Sequence, residues 1–356
     1  MHHRNLIVFS RAIVKIGTLF ALAFPVSANG NSHWFRHAAI SPDGDSIAFS
    51  HQGDLFVVAT EGGLARALTT NDSWDGHPVW SRDGKQIAFA SERHGNLDVF
   101  LMPAEGGKAN RLTHHSSHDI PSDFSVAGDA VLFSSARNDS ATASIFPTSR
   151  MAELYEVSTA GGTPRMVSTI PASQARYSQD GKSIAYRDEK AYEIEFRKHD
   201  VSAFARDIWL LEVETGKHTQ LTKFKGGDHD PYYVGDTIYY LSESKTNNFN
   251  VWSMNSKGGD RKQVSSFETH PVRNLSASND GLLCYTQHGM LFTQKVADEP
   301  QRVEVTFRAD SQSNDYETKQ LTKVSEFAVS PNGKEIAIVS RGEVFVTSRD
   351  FKIYGE

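Results

Sequence analysis

A four-residue turn phrase returns seven times along this chain, and no other feature limits its possible folds so tightly. Ser41-Pro42-Asp43-Gly44, Ser81-Arg82-Asp83-Gly84, Ser178-Gln179-Asp180-Gly181 and Ser330-Pro331-Asn332-Gly333 are the clear copies. Each is followed by a short apolar run such as Ile47-Ala48-Phe49 or Ile184-Ala185-Tyr186. Weaker copies are Ala127-Gly128-Asp129, Val234-Gly235-Asp236 and Ser278-Asn279-Asp280-Gly281. Asp-Gly and Asn-Gly mark tight turns, because glycine takes positive φ without a Cβ clash. The turn glycines recur at intervals of roughly 40 to 54 residues, the period of sheet repeats stacked around an axis.

Each repeat reads as four short strands. In the second, these are 77–80, 86–90, 98–102 and 109–113, with a second glycine turn at Glu105-Gly106-Gly107. The first repeat matches it with 38–40, 47–50, 55–59 and 66–69. A lone four-stranded blade exposes apolar residues on both faces and must stack on neighbours, and closing the stack removes its free ends. Helical periodicity is almost absent. The expectation is therefore an all-β chain: a six-bladed β-propeller of four-stranded antiparallel blades over 33–310, then a polar connector over 311–323. An incomplete first blade of a second propeller follows over 324–356.

Residues 1–28 stand apart. Arg4, Arg11 and Lys15 precede an apolar run from Ile16 to Phe24, then Pro25 and the small-residue site Val26-Ser27-Ala28. This pattern predicts a cleaved export signal, too short and too interrupted for a membrane span. The mature chain is expected to be periplasmic or secreted, with no later membrane span. With 37 basic against 43 acidic residues, it has no basic footprint for nucleic acid. The single cysteine, Cys284, allows no internal disulfide, and its apolar strand predicts a buried, inert thiol.

No catalytic motif is found: there is no G-x-S-x-G elbow, H-E-x-x-H helix, phosphate loop or EF-hand. No catalytic residue and no cofactor are assigned. One constellation remains. His77-Pro78, His118-Asp119, Asp228-His229-Asp230-Pro231 and His270-Pro271 fall at a shared blade position, and His37 aligns with His77. His118, Asp119, His229, Asp230 and His270 could then gather at one pore end as a divalent-metal or acidic-peptide site. The plainer reading, that such residues end strands and satisfy loop amides, is preferred. Trp80, Phe124, Tyr177 and Tyr232, which precede the turn phrases, are expected in the core between blades.

The segment Lys190-Ala191-Tyr192-Glu193, Phe196-Arg197-Lys198-His199, Ser202 and Arg206-Asp207-Ile208-Trp209 resembles the fourth blade of tricorn-type proteases. Glu304-Val305-Thr306-Phe307-Arg308-Ala309-Asp310 is similar to that family's passage between propellers. The turn phrase alone is shared with TolB and prolyl-oligopeptidase propellers. The resemblance implies a six-bladed propeller and the start of a second, with the family's serine and histidine domains beyond the end of this chain. The tail 349–356 departs from the family pattern, as in a truncated or frame-shifted product. The implied role is non-catalytic, gating or channelling peptides, with peptides or other protein chains as partners and a possible homo-oligomer. The alternative is a stand-alone TolB-like periplasmic interaction propeller. A metal-dependent propeller enzyme is the least favoured.

Overall fold

The computed structural model describes residues 34–137, 151–190, 204–245, 247–308, 324–340 and 342–348. The expected signal at 1–28, the connector 311–323 and the tail 349–356 lie outside the described residues. Every sheet described below belongs to the unit His33–Glu356.

The turn phrase is a small hydrogen-bonded device. In Ser81-Arg82-Asp83-Gly84, Ser81 Oγ donates to Asp83 Oδ1 at 2.7 Å and accepts from the Gln86 amide at 2.9 Å. Asp83 Oδ1 also accepts from the Lys85 amide at 3.1 Å, and the Gly84 amide donates to the Ser81 carbonyl at 2.9 Å. The same bonds recur around Ser41, Ser178 and Ser330, with the glycines at φ of 84°, 71° and 67°. Hydroxyl, carboxylate and missing Cβ each satisfy one geometric demand of the turn.

Among the described residues the strands form six four-stranded antiparallel sheets, each in sequence order. Their innermost strands are Arg36–Ile40, Asp75–Trp80, Asp119–Phe124, Ala172–Tyr177, Asp228–Val234 and Val272–Ala277. Each lies beside the next, and Arg36–Ile40 also lies beside Val272–Ala277, so the order closes on itself. The core is divided in the same way. Six apolar clusters each fill the gap between two successive sheets, the last joining Cys284 and Leu291 of the sixth sheet to Ile47 and Phe49 of the first. Burying one such side chain fully contributes about 1.5–3 kcal/mol, which gives alternate strand residues a reason to be apolar on both faces.

The chain that leaves the sixth sheet returns to the first repeat. After the sixth sheet, Val305–Thr306 pairs in parallel with Gly63–Leu64, which precedes the outermost strand of the first sheet, as a separate two-stranded sheet. The Gly63 amide donates to the Glu304 carbonyl at 2.8 Å, and Ala65 to Thr306 at 2.8 Å. Phe307 then seats its ring among Phe35, His51 and Phe56, with centroids 6.2, 4.8 and 5.1 Å away.

The seventh repeat forms a separate three-stranded sheet, Glu326–Val329, Glu335–Ser340 and Glu343–Ser348. Phe327 and Val329 point from one face, Val344 and Val346 from the other, and all four are more than half exposed.

Candidate functional site

An innermost strand pairs with its own sheet on one edge only, so its other edge turns unpaired amides and carbonyls toward the axis. Side chains of the preceding sheet meet several of them. The His37 amide donates to Asn274 Oδ1 at 3.1 Å, and the Ile40 amide to Ser276 Oγ at 3.1 Å. The Tyr177 amide donates to Asp123 Oδ2 at 2.8 Å, and the Asp230 amide to Gln174 Oε1 at 3.0 Å. Polar residues on these strands are therefore latches between neighbouring sheets.

All six innermost strands carry a register shift. In five of them a non-glycine residue takes left-handed φ at the shift: His37 at 50°, His77 at 51°, Gln174 at 50°, Asp230 at 49° and Asn274 at 55°. Such bulges re-aim a side chain at a cost in backbone strain. They also correct the alignment drawn from sequence. His77 and Asp230 sit on the bulge inside their strands, whereas His118 and His270 precede theirs.

The five candidate residues accordingly take different environments. His118 is exposed and its Nδ1 accepts from the Leu97 amide at 3.0 Å. Asp119 is fully buried and paired with Arg137, whose Nε donates to Oδ1 at 3.3 Å. His229 lies 3.0 Å from Arg187 Nη1 and packs edge-on to Phe249. His270 is exposed and its ring lies 3.8 Å from that of His288. Among the described residues, no three His, Cys, Asp or Glu side chains group closely enough to hold a metal ion.

At the end where the innermost strands begin, the His37 and His77 rings lie 3.8 Å apart, with Trp74 edge-on at 5.6 and 5.8 Å. Burial, then the His77 and Arg36 charges, pushes the His37 pKa well down and keeps the ring neutral. The last hairpin reaches this end. A Cβ on Gly342 would come within 3.2 Å of Arg36 Nη1, and the Glu343 charge acts on the same guanidinium.

The fourth and fifth sheets hold a charged network that the repeat pattern does not announce. Arg187 Nη2 donates to Glu189 at 2.8 Å, and Arg206 pairs with the same carboxylate. Lys190 bridges Asp188 at 3.3 Å and Asp207 at 2.6 Å. Trp209 Nε1 donates to Asp188 at 3.0 Å. Asp188, Glu189, Lys190 and Arg206 stand on either side of 191–203, which lie outside the described residues. Burial, followed by Arg187, Arg206 and Arg273, pushes the His229 pKa well down. Asp228 moves the other way: burial raises its carboxyl to about 7, against the opposing hydroxyls of Ser242 and Thr222.

At the opposite end the turn phrases form a crown. The Asn279 amide donates to the Pro42 carbonyl at 2.9 Å, and a Cβ on Gly181 would press Val126 at 3.1 Å. Arg82, from the second sheet's turn, donates to Asp123 at 2.9 Å and to the Tyr177 carbonyl at 3.4 Å. Phe124 and Tyr177 are buried between sheets, and Trp80 packs there too. Tyr232 is partly buried against the cluster between the fifth and sixth sheets. Tyr233, opposite Ile238, occupies the position equivalent to Tyr177 opposite Ile184, so Tyr232 falls one residue away. A one-residue step reverses the face, and Tyr232 stacks under Arg176 with the guanidinium carbon 5.1 Å from its ring centre. Cys284 is fully buried, its thiol pushed up to about 12 by burial.

Four likenesses to known proteins bear on this arrangement. A family model described as the tricorn protease N-terminal β-propeller domain matches residues 32–300. The crystal structure of the tricorn protease is similar, with a TM-score of 0.66 and 20% identity over 89% of this chain. Putative TolB from Agrobacterium tumefaciens is similar at a TM-score of 0.52 and 17% identity, covering 65% of this chain and 80% of that one. An uncharacterized protein of Agrobacterium fabrum is 31% identical over 117 residues, 32% of this chain. The chain spans 30% of the tricorn protease's length and 35% of the Agrobacterium fabrum protein's.

Proposed function

Because the chain belongs to the family of tricorn protease N-terminal β-propeller domains, we propose that it is the non-catalytic propeller portion of a tricorn-like serine protease, channelling extended peptide along its axis. The observation that carries this reading is the inner edge of the ring. Six successive strands turn backbone donors and acceptors toward one axis, and side chains from the preceding sheets meet part of them. An extended peptide has the complementary groups and needs no particular sequence to use them.

In this reading the propeller occupies 33–310, with 311–323 as connector and 324–356 as the start of a second propeller. The apolar residues on both faces of the three-stranded sheet support that last assignment, since a blade buries both faces against neighbours. The chemistry would be carried by segments outside these residues. Residues 1–28 would direct export, placing the domain in the periplasm or outside the cell.

The test is photo-crosslinking of an unstructured peptide to the purified chain, read by mass spectrometry. Crosslinks should concentrate on the innermost strands, and peptide turnover by this chain alone should be absent. Crosslinks confined to the outer strands would end the channel reading, and hydrolysis would end the non-catalytic one. The TolB-like alternative draws on the fold likeness to putative TolB. It predicts instead a protein partner retained on one face of the ring.

A further inference from the structure

Arg176 follows the bulge on the fourth innermost strand, and its guanidinium lies over Tyr232 of the fifth sheet. Its Nε and Nη1 are buried and find no acceptor among the described residues. A guanidinium keeps its charge at any relevant pH, so a buried N–H left without an acceptor is costly. The carboxylate nearby is already committed. Asp123 Oδ2 accepts from Arg82 at 2.9 Å and from the Tyr177 amide at 2.8 Å, while Oδ1 accepts from the Phe124 amide at 2.9 Å.

Arg82 adds a second cation, and its Nε is likewise buried without an acceptor among the described residues. Arg176, Asp123 and Arg82 all act electrostatically on the Tyr232 hydroxyl, which places two guanidiniums and one carboxylate around one ring. The cluster therefore holds one positive charge in excess. It opens to solvent at the crown of turns, where the Arg82 side chain is 34% exposed.

We propose that Arg176, with Arg82 and the Tyr232 ring, forms a binding site for a carboxylate at the turn-phrase end of the ring. A carboxylate offers the planar pair of acceptors that a guanidinium fork matches, and it would neutralise the excess charge. The Tyr232 ring supports the Arg176 guanidinium from beneath, its centre 5.1 Å from the guanidinium carbon. The site does not depend on peptide channelling, since a free carboxylate would occupy it equally well.

The experiment is calorimetric titration of the full chain at fixed ionic strength with three probes. These are acetate, N-acetyl-tetra-alanine with a free C-terminus, and a doubly blocked alanine peptide carrying one glutamate. At least one probe should bind, and its amidated or glutamine counterpart should bind about tenfold more weakly or not at all. Which probe wins identifies the source of the carboxylate. Arg176→Gln should lose that binding by a similar factor, whereas Arg176→Lys should retain part of it. Equal binding of charged and neutral probes, or unchanged binding by Arg176→Gln, would overturn the proposal. Should Arg176→Gln fail to fold, the wild-type protein still decides. Labelled arginine Nε–H signals should move with acetate and not with chloride, and no movement counts against the site.

Discussion

Asn274 and Gln174 perform one task in different sheets: each presents a side-chain oxygen to the bulged amide of the next sheet. In Asn274→Ala the His37 amide loses its acceptor, and the Thr286 hydroxyl keeps only the Arg273 carbonyl at 3.2 Å. Urea unfolding should show a loss of about 1–3 kcal/mol, and Asn274→Asp, which keeps the acceptor, should lose less. Asp228 makes a pH prediction. Its folded pKa of about 7 lies above the ordinary carboxyl value, so the folded state holds a proton that the unfolded state releases. The stabilising contribution is complete below about pH 4 and declines as pH rises through 7. Urea midpoints of Asp228→Asn should therefore gain on the wild type between pH 4 and 7. A constant difference across that window would show that Asp228 is an ordinary acid. These residues were hard to see in the sequence. Asn274 lies on no motif, and the His, Asp and Pro runs suggested one shared blade position that the bulges divide in two.

At the scale of the element, the turn phrase was fully legible, because every bond in it joins residues within five positions of each other. The parallel pairing of Val305–Thr306 with Gly63–Leu64 was not, since its partners are far apart along the chain. Gly62 carries that contact. Its φ is +90°, and a Cβ there would lie 2.5 Å from the Glu304 carbonyl oxygen. Gly62→Ala should cost about 2 kcal/mol or more, because neither the strained φ nor the backbone clash relaxes cheaply. Gly63→Ala meets no atom within 4 Å and pays only for its φ of +116°, so it should be milder. Thermal melts of the pair distinguish closure geometry from simple loss of glycine. If both fell equally, the Glu304 contact would be irrelevant.

For the whole molecule, stability depends on a ring whose last seam joins the sixth sheet to the first. Phe307 closes over that seam but is only partly buried, so Phe307→Ala should cost about 1–3 kcal/mol, less than truncating a fully buried phenylalanine. Hydrogen exchange should rise first in Arg36–Ile40 and Val272–Ala277, which flank the seam. Exchange rising evenly around the ring would contradict a special role for closure. The sequence alone determined the repeat, its strands and its turns, because these rest on contacts between near neighbours and on alternation of apolar residues. It also carried the family resemblance in Arg206-Asp207-Ile208-Trp209 and its surroundings, without revealing that these residues share a buried ion network with Lys190 and Asp188. Only the tertiary structure decided which side chains reach the axis. A one-residue step along the strand decides the face: Tyr232 lies beneath Arg176 and packs between the fifth and sixth sheets, while Tyr233 packs between the fourth and fifth. Composition and spacing do not record such a shift, because it arises from how each strand meets its neighbour across the ring.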